Sequence, residues 1–155
     1  QSLIDPLWGK GARNHMKAGY LNGLEDAAID HLVDGFVSKP GPQCELHVHM
    51  MGGAVARVPA DASAFAHRDA PFVVNMLSRW EDRARDDEHL AWGRNVYASL
   101  EEHTTGGAYI NFLDDEGAGR VRDAYGPETF ARLQAVKAQY DPDNAFRRNQ
   151  NIPPA

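Results

Sequence analysis

One stretch constrains the fold more than any other: Phe72–Trp80 reads FVVNMLSRW, apolar and β-branched over almost its whole length. A run of that kind, too short for a helix of ordinary length, predicts a buried strand. Asn75 is the only strongly polar residue in its first six positions. A buried strand needs partners at its edges and a covering layer, and the flanking sequence offers both. From Gln43 to Met51, Cys44, Leu46, Val48 and Met50 alternate with Glu45, His47, His49 and Met51, the period of two that marks a second strand. Ala18, Tyr20 and Leu21 suggest a short strand over Lys17–Leu21, closed by the turn dipeptide Asn22-Gly23.

Two amphipathic segments supply the covering layer. Leu24, Ala27, Ala28, Leu32, Val33 and Phe36 recur at helical spacing, and Pro40-Gly41-Pro42 stops the helix after Val37. A second helix is predicted over Asp86–His103, ended by Gly106-Gly107, and AYINFL, Ala108–Leu113, is expected to form a further strand. Residues Ala54–Pro71, with two prolines and no clear period, read as a covering loop holding at most one short strand, and Gln1–Lys17 as irregular. The order strand, helix, strand, strand, helix, strand predicts an α+β fold, an antiparallel sheet with helices on one face in a split βαβ, ferredoxin-like arrangement. Beyond Glu116 the character turns helical. Val121, Ala124 and Tyr125 mark one helix, Phe130, Leu133, Val136 and Tyr140 another with Pro127 in its first turn, and Asn149–Ala155 forms an extended tail.

No window approaches the roughly 18 apolar residues of a membrane span. With 16 basic against 22 acidic residues and no basic stripe, nucleic acid is not an expected partner. The single cysteine, Cys44, has no internal disulfide partner, which fits a reducing, cytoplasmic setting. No signal peptide is visible at Gln1, so either the start is processed or something precedes it.

Several residues bear on chemistry. Glu45, His47 and His49 share one strand face; they suit either metal ligation or, more commonly, a wet pocket lining, and no metal is expected. Asn75 must find a hydrogen-bond partner, in the chain or in a ligand. Tyr109 and Asn111 are expected on one face of their strand, where a phenol serves as a general base or simply packs. His67-Arg68 sets a titratable ring beside a fixed cation, for a ligand or for a surface ion pair with Asp69. No phosphate-binding loop, dinucleotide fingerprint or Gly-x-Ser-x-Gly elbow occurs.

The segments GGAYINFLDDE and YGPETFARLQAVKAQYDPDNAFRRNQNI hold Tyr109-x-Asn111, Tyr125-Gly126, Arg132-Leu133, Val136-Lys137, Tyr140-Asp141-Pro142-x-Asn144-x-Phe146 and Gln150-x-Ile152 in order. This pattern resembles the carboxy-terminal signature of berberine bridge enzyme-like FAD-linked oxidoreductases. GGAVARVPADASAFAHRDAPF resembles their segment ending in Phe-x-His-Arg, Trp80 and Trp92 fall where their substrate domain has tryptophans, and the resemblance runs from about Leu7 to the end. It implies a substrate-binding sheet domain over 1–115 and a helical segment with tail over 116–155 that packs on an amino-terminal FAD domain, which this chain does not contain. It further implies that Asn75, Asn111, His47, His49, His67 and Arg68 face substrate or flavin, with Tyr109 the base in an alcohol, sugar or secondary-metabolite oxidation. Phe112 stands where several members carry a second tyrosine. The chain alone is then expected to be inactive. The rival reading is a free-standing small-ligand-binding or self-associating module, with a homodimer covering the surface.

Overall fold

A computed structural model describes residues 11–114 and 116–155. The boundary expected between the two regions falls at residue 115, outside the described residues, as does the reading of residues 1–10. Three strands build one antiparallel sheet in the order β1-β3-β2: β1 is Arg13–Leu21, β2 Glu45–Met50 and β3 Phe72–Trp80. The stretch that most resembles a buried strand is thus the central one. Its register pairs Asn75 with Ala18 on one side and His47 on the other.

Helices α1, Asp26–Val37, and α3, Asp86–Ser99, lie together on one face of this sheet. Ala28 and Leu32 of α1 and Trp92 and Val96 of α3 close over Leu21, Val74, Met76 and Cys44, a core of side chains at most 8% exposed. Burying a side chain of this size contributes about 1.5–3 kcal/mol, so this cluster holds the layers together. Close approach of α1 to α3 needs Gly35, whose added Cβ would lie 2.9 Å from both γ-carbons of Val96. Trp92 Nε1 donates to the Gly35 carbonyl at 2.8 Å across the same contact.

Three sequence expectations require correction. β1 begins at Arg13 rather than Lys17, because the polar residues that make its first half look irregular have distant partners: His15 Nδ1 meets Asp114 at 2.9 Å and Lys17 pairs with Glu116. Residues 54–71 hold a short helix α2, Ala54–Arg57, and a turn of 3-10 helix, Ala60–Ala62, with no strand. Ala108–Leu113 forms no strand either. The chain touches the free edge of β1 through the Leu21–Thr104 bridge and the bond from Thr105 N to Tyr20 O. It then turns away at Gly106, where φ is +78°, and curls into a 3-10 turn at Ile110–Phe112, with Phe112 N donating to Tyr109 O at 2.9 Å. Local bonds replace the ladder. The predicted helices beyond Glu116 are present as α4, Ala118–Tyr125, and α5, Pro127–Tyr140, followed by a tail without regular structure. No helix among the described residues is long and apolar enough to cross a membrane.

Candidate functional site

Side chains alternate across a strand, so the sheet face turned away from α1 and α3 is fixed by the register. Tyr20, Val73 and His49 form one cross-strand row on it, Ala18, Asn75 and His47 the next, and Met16, Leu77 and Glu45 the third. Nearly every residue expected from the sequence to face a ligand lies on or against this surface.

Asn75, held on the central strand, is 2% exposed, and its Oδ1 has no hydrogen-bond partner among the described residues. Leaving such an atom unpaired costs about 1–3 kcal/mol. Beside it, His47 Nε2 lies 2.6 Å from Glu45 Oε2. A carboxylate only accepts, so Nε2 carries the shared hydrogen. The His49 ring stands edge-on to His47 at 5.8 Å. No group of three His, Cys, Asp or Glu among the described residues is placed to hold a metal ion.

An aromatic strap closes over part of this face. Phe65 meets Tyr109 at 6.0 Å between ring centroids, Tyr109 meets Phe112 at 4.9 Å, and Phe112 meets His49 at 5.9 Å, all within the range of favourable ring contacts. The 3-10 turn that replaces the expected strand still brings Tyr109 and Asn111 together: Asn111 Nδ2 donates to Tyr109 Oη at 2.9 Å. With that lone pair engaged, the phenol's own hydrogen is free to point at a ligand.

His67 and Arg68 brace the strap from behind. His67 packs on Tyr20 at 4.7 Å, and its Nε2 donates to the Asp123 carbonyl of α4 at 2.8 Å. Arg68 donates to the Val55 carbonyl and to Ser63 Oγ while its guanidinium lies over Phe65. Neither forms an ion pair with Asp69 among the described residues.

Sequence reasoning missed Tyr20 and Phe65. Tyr20 is 1% exposed, and burial, reinforced by the neighbouring Tyr109 phenol, pushes its hydroxyl well above the ordinary tyrosine range. It is therefore a neutral group and not a base. Its alternation with Ala18 signals a face, but nothing local reveals that residues 65, 67 and 109 would cover it.

The fold and site define a class: a split βαβ sheet domain that presents a polar and aromatic open face, continued by two helices and a tail. The sequence model described as "Berberine and berberine like" matches residues 108–153. The FAD-linked oxidoreductase YgaK of Bacillus subtilis is 34% identical over 131 residues, 84% of this chain and 29% of its own length. Monolignol oxidoreductase AtBBE-like 13 of Arabidopsis thaliana is 34% identical over 66% of this chain and 22% of its own length. Among solved structures, the glycopeptide hexose oxidase DBV29 complexed with teicoplanin is 30% identical, with a TM-score of 0.79 over 94% of this chain and 33% of that one. The chain belongs to the berberine bridge enzyme-like family of FAD-linked oxidoreductases, and it spans under a third of the length of these relatives.

Proposed function

We propose that this chain is the substrate-side part of an FAD-dependent oxidoreductase that oxidises an alcohol, sugar or secondary metabolite, and that it is inactive by itself. Residues 1–115 act as the substrate-binding sheet domain, and 116–155 as the segment that packs on an FAD-binding domain. The observation that carries this reading is the sheet face turned away from α1 and α3, where Asn75 keeps an unpaired buried carbonyl oxygen, and over part of which the strap holding the ordered pair Tyr109–Asn111 reaches His49 through Phe112. A face that mixes apolar and aromatic surface with amide, imidazole and phenol groups suits a planar ring system that hydrogen-bonds at its edge, so the residues present fit a flavin. FAD, when bound, supplies the acceptor for the substrate hydride.

The chain's own residues then have defined tasks. Tyr109, once it has given up its own hydrogen, takes the hydroxyl proton of the substrate at Oη as a phenolate, and Asn111 holds that oxygen in place through its amide hydrogen. His47 and His49 line the entrance, with Glu45 fixing the His47 ring. His67 and Arg68 hold the strap in position against substrate and flavin. The test is made on the longer protein that contains this sequence. It should retain a flavin chromophore through gel filtration, and the Tyr109→Phe variant should keep the chromophore yet slow its anaerobic bleaching by substrate by about two to four orders of magnitude. A longer protein that carries no flavin after loading with FAD removes the proposal.

A further inference from the structure

Resting on the function proposed above, the contacts of α4 bear on how Tyr109 is held. Tyr109 follows the turn at Gly106, where φ is +78° and the chain leaves the edge of β1. Gly106 and Gly107 let this turn bend but have no side chains to fix it. Arg120 of α4 fixes it from outside, its Nη1 donating to the Gly106 carbonyl at 2.9 Å. The rest of the guanidinium is anchored to the sheet and its helices. Its Nη2 donates to the Tyr97 hydroxyl of α3 at 3.4 Å, its carbon lies 6.0 Å from the centre of the same ring, and Nε lies 3.7 Å from Glu116 Oε2. Glu116 is itself paired with Lys17 of β1, whose ammonium sits 4.7 Å over the Tyr97 ring. Gly19 leaves space for that ring, since a Cβ there would lie 2.8 Å from Tyr97 Cε2. Further along α4, the Asp123 carbonyl accepts from His67 Nε2, so the helix grips both ends of the turn: the Gly106 carbonyl directly, and Gly107 through the ring packed on it.

We infer that Arg120 is a positioning residue for the proposed reaction: by tying the Gly106 carbonyl to α3 and β1, it sets where Tyr109 Oη stands. Arginine suits this task because its planar fork reaches a carbonyl, a phenol and a carboxylate from one rigid group, whereas a lysine ammonium is a single point charge. With a side chain only 21% exposed, the fork is partly shielded from water and holds its geometry better than a surface pair does. Arg120 acts through the backbone of the strap and contacts neither substrate nor flavin. Without it the turn is free to swing, and displacing a reacting group by about 1 Å lowers a rate by up to roughly a hundredfold.

The experiment uses the full FAD-loaded protein that contains this sequence, with the variants Arg120→Met and Arg120→Lys. A ring-fluorinated tyrosine in place of Tyr109 gives that phenol its own signal in fluorine NMR. Arg120→Met should shift and broaden this signal while flavin content and melting temperature stay close to wild type. Arg120→Lys, which keeps the charge but not the fork, should fall between the two. Rates are read by anaerobic bleaching of the flavin, with benzyl alcohol and glucose as probes. For whichever probe reacts, Arg120→Met should slow bleaching at saturation roughly ten- to a hundredfold, and should add no loss to Tyr109→Phe. A residue that merely stabilised the fold would multiply the two losses, and that result overturns the assignment. A fluorine signal that Arg120→Met leaves unchanged overturns it too, whether or not either probe reacts. Should Arg120→Met fail to fold, the same readings on Arg120→Lys decide. Tyr109→Phe reacting as fast as wild type strikes the base role proposed above and the positioning role with it, whereas multiplied losses or an unmoved signal strike the positioning role alone.

Discussion

At the scale of single residues, two positions carry more than their size suggests. Gly107 has no Cβ because there is no room for one: an added methyl would sit 2.5 Å from His67 Cε1 and 2.7 Å from its Nδ1. Gly107→Ala must therefore drive His67 off Tyr20 and out of its bond to Asp123, a strain of about 1–3 kcal/mol. The melting temperature should fall. In the double variant with His67→Ala the two losses should not add, since one ring is the source of both. His89 is the second case. It lies 1% exposed between Trp80, stacked on it at 4.7 Å, and Ser78, whose Oγ is 2.8 Å from Nδ1. Burial, aided by the Arg85 charge, pushes its imidazole below the ordinary histidine value of 6.5. The folded state thus binds a proton less readily than the unfolded chain, so stability is full above that ordinary value and drains away as pH falls through it. Urea midpoints measured on either side of it should show this loss, and His89→Gln should show less of it.

At the scale of elements, the end of α5 shows how a single carboxylate shapes a segment. Asp141 Oδ1 accepts from Ala145 N at 2.7 Å, its Oδ2 accepts from Phe146 N at 3.0 Å, and Lys137 binds both Asp141 and the Phe146 carbonyl, the latter at 2.6 Å. The Lys137 hydrogen bond, outweighing partial burial and joined by the two amides, holds this carboxyl below its ordinary value of 3.8. Its contribution is present above that value and is lost as pH falls through the lowered one. Asp141→Ala should leave α5 helical but speed amide exchange at Ala145 and Phe146 and open the tail to proteolysis. The turn motif Asp141-Pro142 is visible in the sequence, whereas the lysine one helical turn earlier gives no sign of reaching across it. The same contrast runs through the fold. β3, β2 and α1 were legible because their own periodicity decides them. The first half of β1 was not, since His15 and Lys17 are made strand-compatible by Asp114 and Glu116, 99 residues away in each case. Ala108–Leu113 alternates like a strand, yet two preceding glycines and two i→i+3 bonds turn it from the sheet edge. The site was legible as a set of polar residues, Asn75, Tyr109 and Asn111 among them. Its aromatic strap was not, because Phe65 and Phe112 acquire meaning only from rings on other elements.

At the scale of the whole chain, the main core is built by β1, β3, α1 and α3 together with Cys44 just before β2 and Leu100 just after α3. The sheet with its helices should therefore unfold as one cooperative unit when the 155 residues are prepared alone. The surface tells against such a chain standing by itself. Val37 is 77% exposed on α1, Met50 81% at the end of β2, Tyr140 77% at the end of α5 and Phe146 84% in the tail. Where such exposed apolar side chains combine into a patch, they mark contact regions or association hazards. The relatives are more than three times as long as the part matched here, which leaves ample chain to cover some of it. The isolated chain should accordingly bind a hydrophobic dye while folded and show a weight-average mass that climbs with concentration in sedimentation experiments. Met50→Lys together with Phe146→Ser, neither of which touches the core, should flatten that climb without lowering the melting temperature. A chain that stays monomeric and dye-silent at high concentration would instead be a self-sufficient module, and the case for an absent covering domain would lose its physical ground.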